Sequence, residues 1–312
     1  MRYVAHRLGQ AVIVLAIAFT ASFILLQALP GDALVIRFES PEAGLGPEEV
    51  ARLRESLGAD TPLWQQYLQT LGGFLRGDFG YSVQSGTAVS TIIGAALPST
   101  LVLAATAFIV ATILAIVLAG LTQLPGFPGL SRLLRSLPSL FISIPVFWLG
   151  IVLVQVFSFR LGWVSIINPD PIEGLILPVL ALAVPISAPI AQVLIRAIDD
   201  VRAQPFIEVV RSRGASDWWV ITRNVPRNAV LPALTMAGLL FGELIGGAVI
   251  TETVFGRAGI GRVTEQAVAA QDAPVLQAVV VISATVFVVI NLIVDLSYPL
   301  LDPRLSTKGA RR

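Results

Sequence analysis

The chain has 312 residues, 55% of them apolar and only 13% charged, with a mean hydropathy of +0.81 and a formal net charge of +1. A water-facing protein carries about 25% charged residues, so these figures exclude a soluble enzyme, a disordered tail and a disulfide-stapled secreted domain. Near-neutral charge leaves no footprint for nucleic acid, and zero cysteines with a single histidine exclude thiol chemistry and His-rich metal sites.

A membrane protein remains, and each helical span needs about 20 apolar residues to cross a hydrocarbon core of about 30 Å. The first uncharged run is Ala11–Leu29. Arg2 and Arg7 before it resemble the basic region of a cleaved signal peptide, the competing expectation, but the run is longer than a usual signal core. Residues 31–93 follow as an insertion too long for a connector and too polar to span. Within it, Gly46-Pro47-Glu48-Glu49 predicts a helix start with acids on the positive dipole end, and Gly58 a stop. Thr61-Pro62 opens a second helix, on which Trp64, Tyr67, Leu68, Leu71 and Leu75 recur three and four apart. That stripe either packs on the outer ends of the membrane helices or receives an extracytoplasmic partner protein, with Trp64 and Tyr67 as the docking candidates.

Further spans are expected at Pro98–Leu121, Leu137–Phe157 and Gly174–Ile195. The loop from Arg196 to Arg227 has 32 residues, ten of them charged. Phe206, Val209 and Val210 form a short apolar face there, Gly214 breaks the helix, and Ser216 can cap a second one carrying Asp217, Trp218 and Trp219. Such a helix–Gly–helix either docks a cytoplasmic partner or lies on the headgroups. Asn228 and Pro232 lead into the fifth span, Val230–Val254, with the proline expected in its first turn. Glu243 lies near the middle of that span, where a charged acid costs roughly 2.5–3.5 kcal/mol on insertion scales. It lines a pore, pairs across a subunit interface or stays a neutral buried carboxyl. Gly256, Gly259 and Gly261 are expected in a tight turn after this span. The sixth span is Pro274–Tyr298, where Asn291 and Asp295 form an i, i+4 pair with a structural role or a substrate contact.

Backbone groups in lipid must be satisfied internally, so the fold expected is all-α with six transmembrane helices and a helical extracytoplasmic insertion. With the N-terminus in the cytoplasm, the inner segments hold 14 of the 21 Lys and Arg residues, and both termini are expected inside. His6 falls at the inner headgroup boundary, where an interfacial side chain is expected rather than a ligand. No phosphate-binding G-x-x-x-x-G-K-[ST] loop exists, since Lys308 is the sole lysine. No catalytic residues, metal site or cofactor are expected in this chain.

Glu208-Val-Val-Arg-Ser-Arg-Gly214, followed by Asn228-Ala-Val-Leu-Pro232, resembles the cytoplasmic EAA loop of bacterial ABC importer permeases. Leu29-Pro-Gly-Asp32, Pro62-Leu-Trp-Gln-Gln-Tyr67, Arg76-Gly-Asp-Phe-Gly80, Ser143-Ile-Pro-Val-Phe-Trp148, Glu252-Thr-Val-Phe255 and Asp302-Pro-Arg-Leu305 extend the likeness from end to end. Together they resemble the first permease of the dipeptide/oligopeptide branch, with Val209 and Val210 where the signature has alanines. The resemblance implies a type I importer permease divided as 1–30 (first span), 31–93 (insertion), 94–303 (five-helix domain with coupling loop 196–227) and 304–312 (cytoplasmic tail). It implies ATPase coupling through Glu208, Gly214, Ser216, Asp217, Trp218, Asn228 and Pro232. The partners implied are a second homologous permease, two ATPase subunits that carry ATP and Mg, and an extracytoplasmic solute-binding protein, in the bacterial inner membrane. Peptides are the solutes implied; nickel chelates, glutathione or sugar oligomers are the alternatives. An ion-coupled secondary transporter using Glu243 or Asp295 would be a different class, against which stands the absence of an inverted repeat. A simple membrane anchor would leave the intramembrane acid unexplained.

Overall fold

A computed structural model describes residues 2–27, 61–123, 128–223 and 225–301. The expected helix start at Gly46-Pro47 and the tail 304–312 lie outside those residues. The described helices are α1 (Arg2–Gln27), α2 (Leu63–Leu75), α3 (Val89–Leu121), α4 (Pro128–Ile142), α5 (Val146–Leu153), α6 (Glu173–Arg202), α7 (Pro205–Ser212), α8 (Asp217–Arg223), α9 (Val225–Val254), α10 (Ile260–Ala269) and α11 (Ala273–Leu301). The one β feature among the described residues is an isolated antiparallel bridge between Tyr81 and Ala88.

Five helices, α1, α3, α6, α9 and α11, contain segments long and apolar enough to cross a bilayer by themselves. The third expected span, Leu137–Phe157, is not one helix. It is the pair α4 and α5, bent by 103° at Ser143–Pro145, and the second arm continues as a π-helix over Val154–Arg160. Pro145 explains the break. It lacks an N–H, clashes with a continuing helix and disfavours helical geometry at Ile144. It stands as the N-cap of α5 with φ −63° and ψ 134°. Counting uncharged residues misses a break made by an apolar residue.

The chain divides into two compact units, Met1–Ser99 with Ala258–Val288, and Thr100–Arg257 with Val289–Arg312. In the first unit, α2 packs on α1 through aromatic edges. Tyr67 meets Phe19 and Phe23 at centroid distances of 5.5 and 5.3 Å, Phe74 meets Phe19 at 5.2 Å, and the Tyr67 hydroxyl pairs with Thr20 Oγ1 at 2.9 Å. The expected stripe is therefore divided. Tyr67 turns inward with Phe74, whereas Trp64, Leu68 and Leu75 are exposed. Val89 and Ile93 of α3, Ile260 and Ala267 of α10, and Val275 and Ala278 of α11 form this unit's second apolar core.

Buried Asp272 ties that core to the turn between α2 and α3. Its carboxylate accepts from the Ser82 hydroxyl and from the Gln84 N–H at 3.3 Å, and it also accepts from Val275 N–H at 3.5 Å, capping α11. The preceding residue, Gln271, has φ +52° without being glycine. Asp272 N–H to Ala267 C=O at 2.8 Å and Gln271 N–H to Val268 C=O at 3.2 Å close α10 in a Schellman turn.

In the second unit the core is a meeting of α3, α6 and α9. Ala104, Ala107, Ala111 and Ala115, spaced three and four apart, give α3 a fully buried small-residue stripe beside Leu182, Ile186 and Ile190 of α6 and Leu240 and Leu244 of α9. Small residues let membrane helices approach closely, where the gain is van der Waals packing rather than expulsion of water. Phe108 and Phe241 meet edge to face at 5.2 Å. Of the three glycines after α9, only Gly256 has positive φ, +63°; Gly259 is the N-cap of α10 and Gly261 lies in that helix's first turn.

Candidate functional site

The 196–227 segment is less of a loop than its composition predicts. Helix α6 continues to Arg202, and Ile195, Ile198 and Val201 on the extension are buried. Gln204 is extended and Pro205 takes the first position of α7, where its fixed φ is already helical and its missing N–H costs nothing. At the far end of α7, Gly214 adopts φ +88°. Its N–H bonds the Arg211 carbonyl at 2.9 Å and Ala215 N–H bonds that of Val210 at 3.3 Å, a second Schellman turn. The Ser216 hydroxyl then accepts from Trp219 N–H at 3.2 Å and caps α8, as its position predicts.

Two side chains absent from the sequence reading hold this helix pair down. Ile207 of α7 and Val220 of α8 are buried against Ala119 of α3 and Ile195, Ile198 and Val201 of α6. Ile207 and Val210 at i, i+3 are the inward face of α7. The expected face is corrected accordingly, because Phe206 and Val209 point outward. Only the i, i+3 spacing of two β-branched residues could have signalled this. Glu208, Arg211 and Arg213 are exposed, Trp219 is 44% exposed and Trp218 71%. The result is a pair of short helices with a pinned apolar back and an exposed front that carries indoles among charges. Asp217 opens α8.

Asn228 and Pro232 lead into the apolar span Thr235–Val254, but Pro232 does not stand in a first turn: both residues lie within α9, which begins at Val225 with Pro226 in its first turn, so Pro232 interrupts the interior hydrogen-bond ladder. The bonds behind the loop are polar. Arg135 of α4 makes a bidentate pair with Asp199 of α6 at 2.6 and 2.9 Å, and Arg202 donates to Gln123 Oε1 at 2.6 Å.

Deeper in α9, Glu243 is exposed on the protomer, whereas Leu240, Leu244 and Ala248 face the core. Gly238 closes on α11, where a Cβ would stand 3.0 Å from Val294 Cγ1. Five residues correspond to about 140° of helix rotation, so Glu243 points well away from the side of α9 that meets Val294. Asn291, one turn before Val294, is therefore not gathered with Glu243. Asp295 lies on α11, and its side chain is outside the described set. Trp64 and Tyr67 are separated by the inward turn of Tyr67. Glu252, which the sequence offers only as part of the Glu252-Thr-Val-Phe255 segment, is fully buried near the end of α9 and accepts from the Thr100 hydroxyl at 2.6 Å. Among the described residues no group of three or more His, Asp or Glu could hold a metal ion.

Comparison with known families gives two matches. Residues 111–307 match the model described as binding-protein-dependent transport system inner membrane component, and residues 1–104 match that family's N-terminal model. The chain is 32% identical over 308 residues to the glutathione transport system permease protein GsiC of Escherichia coli strain K12, covering 99% of this chain and 100% of that protein. It is 34% identical over 310 residues to GsiC of Salmonella typhimurium strain LT2, with the same coverage of 99% and 100%. Among solved structures, the inward-facing MetNI methionine ABC transporter aligns with a TM-score of 0.57 at 18% identity, over 68% of this chain and 96% of that one. An amino acid ABC transporter with histidines aligns with a TM-score of 0.50 at 19% identity, over 69% and 94%.

Proposed function

The chain belongs to the family of binding-protein-dependent transport system inner membrane components, and from that footing we propose that it forms part of the translocation path of an importer for peptide-type solutes. It is a multi-pass inner-membrane permease subunit of an ABC transporter, with the type I importer permease fold. The peptide class is supported by GsiC, named for glutathione, itself a tripeptide. The full set of partners is a second homologous permease, two ATPases that bind ATP with Mg, and an extracytoplasmic solute-binding protein. Both termini lie in the cytoplasm, and ATP hydrolysis belongs to the partner ATPases.

The observation that carries the mechanism is the front and back of α7–α8. The front, with Trp218, Trp219, Glu208 and Arg211 exposed, fits a groove on an ATPase. The back, through Ile207 and Val220, presses on the ends of α3 and α6. Closure of the ATPases would displace the pair, and those two contacts would pass the displacement to helices that run the depth of the membrane. Alternating access follows when the helices move as packed bodies.

Gly214 tests this. A Cβ there meets nothing within 4 Å, so only its φ of +88° forbids a side chain. Gly214→Val should leave the chain inserted and the binding protein docked. In liposomes holding the assembled importer, uptake should fall by about tenfold or more, the range of a typical coupling energy. Gly214→Asn, which tolerates the left-handed region, should retain most uptake. Wild-type uptake in the valine variant would place coupling elsewhere.

A further inference from the structure

The exposed face of α9 differs in composition from the exposed faces of α1 and α3. Between residues 102 and 121 of α3, and between 12 and 25 of α1, all exposed residues are Ala, Val, Ile, Leu or Gly. On α9 the exposed positions Thr235, Leu239, Glu243, Gly246, Ile250 and Thr253 fall four, four, three, four and three apart, one stripe along the helix. Half of that stripe is an acid and two threonines. Glu243 has no hydrogen-bond or ion-pair partner among the described residues, and it sits about 12 Å from Thr235 and about 16 Å from Val254 along a span bounded by those two residues. A carboxylate at that depth cannot face hydrocarbon chains, since intramembrane acids turn to water-filled cavities or to partners. One turn further on, Gly246 leaves open space where a Cβ would stand.

We propose that Glu243 lines the translocation path and that its carboxylate receives the ammonium group of the passing solute, in the recess left by Gly246. The assignment rests on the importer reading and adds to it a requirement for a cationic group on the cargo. A permanent ion pair with a neighbouring subunit would bury two charges for the life of the complex, and their desolvation cancels much of the attraction. A hydrated path leaves the carboxylate solvated until a cation replaces the water. The stripe suits that use: its threonines are small and polar, its glycine makes room, and no bulky aromatic closes it.

The test uses the complete importer in liposomes, with L-alanyl-L-alanine and its N-acetyl form as probes, each presented at half-saturation of the solute-binding protein. The wild type should take up the free-amine peptide faster. In Glu243→Gln, which keeps the shape and removes the charge, that preference should shrink by about tenfold, the scale of one charge-assisted hydrogen bond. ATP hydrolysis stimulated by loaded binding protein should persist, and Glu243→Asp should restore most of the preference. Ile109→Thr, on the exposed apolar face of α3 and outside the stripe, should change the preference less than about twofold. An unchanged preference in Glu243→Gln would overturn the assignment, as would equal loss for both probes. Loss of the second permease from the purified Glu243→Gln complex would overturn it in favour of a subunit contact. A wild-type importer that hydrolyses ATP but moves neither probe nor glutathione would instead overturn the peptide-importer reading, and this assignment with it.

Discussion

The turn at Gln271–Asp272 and the turn at Gly214 share one backbone device and differ in everything around it. Both close a helix with paired Schellman bonds and lead into another helix. At the first, the Asp272 carboxylate is used internally: it is buried, caps α11 and holds Ser82 and Gln84. At the second, the fully buried anchors among the described residues are Ile207 and Val220, while Phe206, Val209, Trp218 and Trp219 face outward. The first turn is finished within the chain. The second keeps its backbone shape while these side chains stay exposed, and the proposed ATPase docking rests on that exposure.

Removing the Asp272 carboxylate should separate the two turns most widely. Asp272→Ala loses the cap and leaves the buried Ser82 hydroxyl without its acceptor, a combined loss of roughly 2–4 kcal/mol. Thermal unfolding of the purified chain in detergent should show a markedly lower midpoint, while α7 and α8 keep their hydrogen-exchange protection. Ile207→Ala should do the converse. It opens a cavity under α7 worth roughly 2–3 kcal/mol, and the loss should appear as faster exchange over 203–223 and weaker ATPase association. The smallest effect is a gain. Gln271 holds φ +52° at a position suited to glycine, so Gln271→Gly should stabilise the α10–α11 turn by about 1 kcal/mol. A lowered midpoint in that variant would mean that the Gln271 side chain contributes more than its strained backbone costs.

The spans were legible because lipid imposes a length and excludes charge, and five of the six runs appear within single helices, although α3 begins nine residues before Pro98 and α6 runs seven residues past Ile195. Gly214 and Ser216 were legible for a similar reason, since a left-handed turn and an N-cap are local rules. What stayed hidden depends on neighbours. The stripe from Trp64 to Leu75 has helical spacing, yet in a chain with apolar residues on every side spacing alone cannot say which face is inward. Tyr67 turned in because Thr20 offers its hydroxyl a partner. Ile207 and Val220 were passed over because nothing in α7 or α8 reveals that α6 extends to Arg202 and offers them a surface. The bend at Pro145 was written in the sequence, in an apolar residue whose effect is on the backbone.

The alanine stripe of α3 has a mechanical consequence. A methyl group has no rotamers to freeze, and a surface built from Ala104, Ala107, Ala111 and Ala115 presents low ridges to the leucines and isoleucines of α6 and α9. Interlocked large side chains must change rotamer before two helices slip past each other. A nearly smooth cylinder can be displaced by an ångström or two, within the range of ordinary helix shear, without any side chain leaving its well. The centre of this subunit is thus close-packed and lubricated at once, able to stay sealed around α3 while the helices beside it change their tilt.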